Sequence, residues 1–210
     1  MKVAMIGLGR LGVPVAHAMM RAHEVTGYDV RAEAMAQAQA AGVKVAPIAE
    51  ACSGAEIVFI AVQTPHDPRF EGVTRLTEER RDFDYTFLKA ACSAVREATA
   101  PGQIVVVIST VLPGTMEREI YPLLEGRRIG YNPAFIAMGT VEYDFLHPEF
   151  VLLGSDDVFA REEIARFYLI LLGTETKFSI TAVRNAELIK VAYNTFIGMK
   201  LAFANTLLEI

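Results

Sequence analysis

Apolar runs and amphipathic segments alternate along this chain from its first residue. KVAMIG precedes a helical pattern near residues 10–21, and HEVTGYD precedes one near 32–41. VKVA and EIVFIAV come before a third near 85–98, and QIVVVIST before a fourth near 115–125. Such alternation leaves few architectures open, because each right-handed crossover lays its helix back on the sheet between parallel strands. The expected fold class is α/β, with a doubly wound parallel sheet.

Further on, FVLLG, a helix near 159–172 and a short strand near 175–179 complete this unit. The character then changes. From Thr181 to Ile210 there is no proline, one glycine, and apolar residues over most of the helical circumference, with Thr181 as the expected N-cap. A helix apolar on nearly all sides is expected to be buried by several neighbours. It reaches Ile210 without a glycine or polar cap, which reads as a truncation inside or just after a long helix. The expected organisation is one doubly wound domain over 1–180 and the beginning of a central helical domain over 181–210.

Composition narrows the function. Of 210 residues, 52% are hydrophobic and 21% charged, which suits a soluble globular protein. The net charge is -5 with no basic run, which argues against nucleic acid or an anionic membrane and for small-molecule partners. The opening MKVAMIGLGR is too short and glycine-rich for a signal h-region or a membrane span, so a cytoplasmic protein is expected. Cys52 and Cys92 stand in apolar contexts without metal spacing and read as small core fillers. The four histidines form no ligand cluster, and His147, before Pro148, reads as a turn residue.

The motif that carries chemistry is GLGRLG, residues 7–12, placed directly after the first strand and opening the first helix. Gly7 permits a tight turn, Gly9 lets the backbone approach a pyrophosphate, and Gly12 lets helix and strand pack closely, with Leu8, Arg10 and Leu11 between them. The helix N-terminus supplies donors for phosphate. Asp29 ends the second strand near the usual spacing of roughly 20 residues for the acid that binds ribose hydroxyls and repels a 2'-phosphate. NAD is therefore the expected cofactor, while nearby Arg31 keeps NADP open. With this motif the sheet is expected to be Rossmann-like.

Two further groups outline a crevice. Thr64 and Ser109–Thr110 stand at strand ends on the carboxyl edge, where doubly wound sheets bind ligands; hydroxyls there also simply cap turns. Lys190 and Asn194, four apart, share one helix face and suit the stabilisation of an oxyanion as hydride moves. A solvated lysine beside a packing amide is the bland alternative. Residues 64–83, rich in proline and charge, form a loop long enough to expect a functional role.

Taken together, KVAMIGLGRLGVPVA, HEVTGYD, IVFIAVQTP, IVVVISTVLPGT, YNPAFIAMGTVEYDFLHPEFVLLG and RNAELIKVAYNTFIGMKLAFANTLLEI resemble, in order, the N-terminal part of the UDP-glucose/GDP-mannose 6-dehydrogenases. Those enzymes use NAD twice to oxidise the primary alcohol of a nucleotide sugar to the carboxylate. The resemblance implies that the backbone of Gly7–Leu11 holds the pyrophosphate, that Asp29 holds the adenosine ribose, and that Thr64 and Thr110 lie beside the nicotinamide. It further implies that Lys190 and Asn194 stabilise the oxyanion and that residues 132–138, including Phe135, Ile136 and Met138, line the sugar pocket, while the apolar circumference of residues 183–210 itself leads to the expectation of a homodimer through the central helix. Two departures stand out. Ala134 and Met138 replace two carboxylates expected for acid-base work, and the family's cysteine nucleophile and nucleotide-recognition domain do not occur before Ile210, so this chain by itself is not expected to form the thioester. A relative acting on 3-hydroxy acids shares the Lys and Asn four apart, but STVLPGT matches its substrate loop poorly. A non-catalytic NAD-binding module is the third reading.

Overall fold

The computed structural model describes residues 1–70 and 79–208. Its strands are β1 (Lys2–Ile6), β2 (Glu24–Tyr28), β3 (Lys44–Val45), β4 (Ile57–Ile60), β5 (Ile104–Val107), β6 (Arg128–Tyr131), β7 (Val151–Gly154) and β8 (Phe178–Thr181). They form one sheet in the order β3-β2-β1-β4-β5-β6-β7-β8. The helices are α1 (Gly12–Met20), α2 (Ala32–Ala40), α3 (Ile48–Cys52), α4 (Thr86–Ala98), α5 (Val141–Leu146), α6 (Val158–Leu172) and α7 (Val183–Leu208).

The doubly wound, Rossmann-like sheet is the one expected, parallel throughout except where Tyr131 of β6 meets Gly154 of β7 in antiparallel register. There the chain runs along the carboxyl edge, lays α5 against α1 and re-enters the sheet from that same edge. β4 and β5 are buried at every residue because helices cover both faces. Alternate residues feed two cores. Met5, Phe59 and Val106 pack with Val15, Met19 and Phe167, whereas Ala4, Val58 and Val105 pack with Leu88, Cys92 and Val95. Cys52 and Cys92 are buried free thiols, as expected. Burial pushes their pKa values up to about 11 and about 12, which keeps both unreactive.

The order reverses at β1, with β2 on one side and β4 on the other, so a crevice opens at the carboxyl ends of those strands. Two elements differ from the sequence reading. Residues 115–125 form a π turn, Met116–Ile120, followed by a 3₁₀ turn, Tyr121–Leu124, rather than one helix. Pro122 explains the break, since it lacks the N–H that an α-helix would use there. The last strand extends to Thr181, so Thr181 is not an N-cap: its carbonyl accepts from Ser155 N–H, and the carbonyl of Ala182 accepts from Asn185 and Ala186 at the start of α7. Of the 64–83 loop, residues 71–78 lie outside the described residues, as do 209–210 of the last helix.

Burial of α7 is confined to its first two turns, at Val183, Ala186, Glu187 and Lys190. From Tyr193 onward Phe196, Met199, Leu201, Phe203 and Leu207 are exposed, so within this chain the helix is not enclosed by several neighbours. Among the described residues no helix is long and apolar enough to cross a membrane. What seats α7 is Gly154: a Cβ there would lie 2.8 Å from Ala186 Cβ and 2.9 Å from Val183 Cα. Gly154→Ala should therefore cost about 1–3 kcal/mol through overpacking, read as a lower urea midpoint at unchanged slope; an unchanged midpoint would contradict this packing.

Candidate functional site

The first end of the crevice is the glycine turn between β1 and α1. Gly7 adopts φ +98°, and a Cβ on it would meet Ala61 O at 2.5 Å. A Cβ on Gly12 would come within 1.8 Å of Gly7 O, so the helix can start this close to the turn only without a side chain. Gly9 is different in kind: a Cβ there would meet nothing within 4 Å, because it faces open space. The amides of Gly9, Arg10 and Leu11 donate to no acceptor among the described residues. Unclaimed donors at a helix start, beside space that a side chain would fill, fit a pyrophosphate.

Asp29 closes this end. Its carboxylate accepts from Leu8 N–H at 2.8 Å and from Arg31 N–H at 2.9 Å, with Arg31 Nε at 3.4 Å. Each oxygen keeps a lone pair for a ribose hydroxyl. The side chain is about 10% exposed, so it stands at the rim already aimed. The residues expected to hold a dinucleotide thus come together, and their donor and acceptor set fits NAD.

In the middle of the crevice, the loops leaving β4 and β5 are strapped to each other. The Ser109 hydroxyl donates to Val62 O at 2.6 Å and accepts from Val62 N–H at 3.0 Å. The Thr64 hydroxyl donates to Thr110 O at 2.7 Å. Two of the three strand-end hydroxyls are therefore engaged in holding backbone, the capping alternative that such residues always carry. The Thr110 hydroxyl alone has no hydrogen-bond partner among the described residues. Tyr85, which sequence reasoning passed over, adds a third strap: its oxygen donates to Asp82 at 2.6 Å and accepts from Leu112 N–H at 3.1 Å.

The far end is the segment after β6. Tyr168 donates to Asn132 Oδ1 at 2.5 Å while Asn132 Nδ2 donates to Leu152 O, which fixes its start. Asp144 accepts from Ala137 N–H and the Thr140 hydroxyl, which fixes its end and holds that carboxyl below its ordinary range. Between these anchors Lys190 donates to Ala134 O at 2.8 Å, its ammonium 5.1 Å from the centre of the Phe135 ring. Phe135 in turn packs on Phe150 and Tyr193, and Ile136 is half-buried beside it.

Lys190 is 7% exposed and pairs with no carboxylate among the described residues. Desolvation lowers its pKa to about 8. Met138 is 58% exposed, and Asn194, one turn beyond Lys190, is exposed and bonds nothing among the described residues. The pair therefore does not converge within the chain itself: the lysine is seated and the amide is open. Glu187, also overlooked in the sequence, binds the amides of Gly114 and Met116. Its signal was available as an acid on an apolar helix, three residues before Lys190. No group of residues suited to a metal ion occurs among the described residues, and His147 is a turn residue bonded to Tyr143 O.

Comparison with known proteins places this geometry. The profile described as UDP-glucose/GDP-mannose dehydrogenase family, NAD binding domain, matches residues 39–172. A second profile, NADP oxidoreductase coenzyme F420-dependent, matches residues 2–72, the stretch with the glycine turn and Asp29. The UDP-glucose 6-dehydrogenase of Pseudomonas aeruginosa is 32% identical, across 76% of this chain and 35% of its own length. The GDP-mannose 6-dehydrogenase of Azotobacter vinelandii is 29% identical, across 98% of this chain and 52% of its own. Among solved structures, the UDP-glucose dehydrogenase of the archaeon Pyrobaculum islandicum superposes with a TM-score of 0.78 at 28% identity, covering 98% of this chain and 51% of that one. The chain spans about a third of the first of these two curated relatives and about half of the second.

The seat of Lys190 has a measurable consequence. Followed by NMR at its ¹³C-labelled ε carbon, Lys190 should titrate near 8 rather than at the ordinary 10.5. Because the unfolded chain keeps that proton to a higher pH, stability should rise with pH across this window, and Lys190→Met should remove the rise. A midpoint of about 10 or above would contradict the buried placement.

Proposed function

Since the chain belongs to the UDP-glucose/GDP-mannose dehydrogenase family, whose NAD-binding domain it carries, we propose that it is the NAD-holding portion of an enzyme oxidising the primary alcohol of a nucleotide sugar. The observation that carries this reading is the glycine turn, where unclaimed amides face open space beside a carboxylate already aimed by Leu8 N–H.

In this reading the amides of Gly9, Arg10 and Leu11 receive the pyrophosphate, because those of Gly7 and Leu8 already donate to Tyr28 O and Asp29, and Asp29 accepts from the adenosine ribose. Arg31, ion-paired to Asp29, faces the same ribose. NAD, when bound, supplies the acceptor for hydride from the alcohol carbon. Thr64 holds the backbone beside the nicotinamide, and Thr110 offers its unpartnered hydroxyl to the reacting end. The Lys190 ammonium stabilises the negative charge that develops on the substrate oxygen, because a cation at a site shielded from water acts strongly on such charge. Asn194, exposed on the same face, is available to a substrate. Phe135, Ile136 and Met138 form the wall against the sugar.

Residues 1–180 would form the nucleotide-binding domain and 181–210 the beginning of a central helical domain. The exposed apolar face of α7 would be covered by a second copy in a homodimer. The complete protein would work in the cytoplasm. One observation favours a second reading, a module that binds NAD without turnover: Ala134 and Met138 supply no carboxylate, and Lys190 bonds a carbonyl in their place. Oxidation of any nucleotide sugar by the complete natural protein would exclude the module.

The experiment that tests the cofactor site is calorimetry on the 210-residue chain. Asp29→Ala should weaken NAD⁺ by about tenfold or more, since one buried charge-assisted contact is worth about 1.5–3 kcal/mol. It should also narrow the preference for NAD⁺ over NADP⁺. Unchanged NAD⁺ affinity in this variant would count decisively against the assignment.

A further inference from the structure

Helix α7 is buried through four residues, of which two are ionisable, Glu187 and Lys190. Three apart on one face, they reach different loops. Lys190 holds Ala134 O in the segment after β6. Glu187, 1% exposed, accepts from Gly114 N–H at 2.6 Å and Met116 N–H at 2.7 Å, at the end of the loop that carries Thr110.

A buried carboxylate must be compensated, and among the described residues no lysine or arginine compensates this one. Two short charge-assisted bonds to backbone amides do so instead, one to each oxygen. Gly114, at φ +86°, gives the turn that presents them. Elsewhere the same loop is strapped toward β4 by Thr64 and toward α4 by the Tyr85 hydroxyl. Those straps fix its distance from the strands but not from α7. Among the described residues, Glu187 is the side chain of α7 that hydrogen-bonds this loop.

We propose that Glu187 is a positioning residue: by gripping the amides of Gly114 and Met116 it fixes the Thr110 loop against Lys190, so that hydroxyl and ammonium address the same reacting carbon. This rests on the reading of the crevice as an NAD-dependent alcohol-oxidising site. A link of this kind matters because a displacement of about 1 Å between reacting groups costs roughly 10²-fold in rate. It also explains why an acid is kept on an apolar helix face where a hydrophobic residue would pack without desolvation cost.

Glu187→Gln keeps the volume but turns one acceptor into an NH₂ facing a backbone donor. Two measurements on the 210-residue chain test the proposal. In calorimetry, affinity for ADP-ribose, which lacks the nicotinamide, should stay within about twofold, whereas NAD⁺ should weaken by about fivefold or more. In the ligand-free chain, NMR should show the Lys190 midpoint moving up by about one unit as its seat loosens. Loss of a nearby negative charge alone would move it down. Equal weakening of NAD⁺ and ADP-ribose, or no weakening of NAD⁺, overturns the proposal, as does a midpoint that falls or stays. If the wild-type chain binds neither nucleotide, the reading of the crevice fails, and the Lys190 titration still decides the link between the two residues. Should the glutamine variant fail to fold, Glu187→Asp, which keeps the charge one methylene short, is measured in the same way with the same outcomes.

Discussion

The structure depends on one close approach. Helix α1 starts so near the turn after β1 that a single methyl group on Gly12 would lie 1.8 Å from Gly7 O. This contact brings the helix start over the point where the strand order reverses. Amides that a longer or bulkier turn would bury or redirect are left facing the crevice at Gly9. Asp29 completes the arrangement by binding the turn itself, through Leu8 N–H, so the acid and the open backbone of the turn are held as one unit.

Around that unit the molecule holds its loops by side chains bonded to backbone. Ser109 and Thr64 join the loops after β4 and β5, Tyr85 and Glu187 hold the loop that follows, and Lys190 holds the segment after β6. Each strap satisfies a backbone group that would otherwise be costly where water is scarce. Together they convert loops, the usual seat of mobility, into fixed walls. Two of the straps come from the first turns of α7, which Gly154 allows to lie against the sheet. The same helix is largely exposed further on, so it serves the crevice at one end and presents an apolar face at the other.

The architecture was legible in the sequence because alternating strand and helix patterns admit few packings, and the runs IVFI and IVVV are buried on both faces as their composition requires. The glycine turn and Asp29 were legible for a related reason: their spacing is set by backbone geometry rather than by distant contacts. Long-range partners were not legible. Glu187 and Tyr85 act on residues 73 and 27 positions away, a pairing that no local pattern encodes. By position at the strand end Thr110 and Ser109 were equivalent, yet one hydroxyl is engaged by Val62 and the other open. The helix expected over 115–125 failed at Pro122, a local signal outweighed by the apolar periodicity around it.

The central claim is that the glycine turn, Asp29 and the Thr110 loop form a single NAD site. The most direct measurement is an NMR titration of NAD⁺ into the ¹⁵N-labelled chain. The account predicts that the amides of Gly9, Arg10 and Leu11 move most, that Asp29 and Thr110 move with them, and that all follow one binding isotherm. Saturation with NAD⁺ that leaves Gly9, Arg10 and Leu11 unmoved would contradict it.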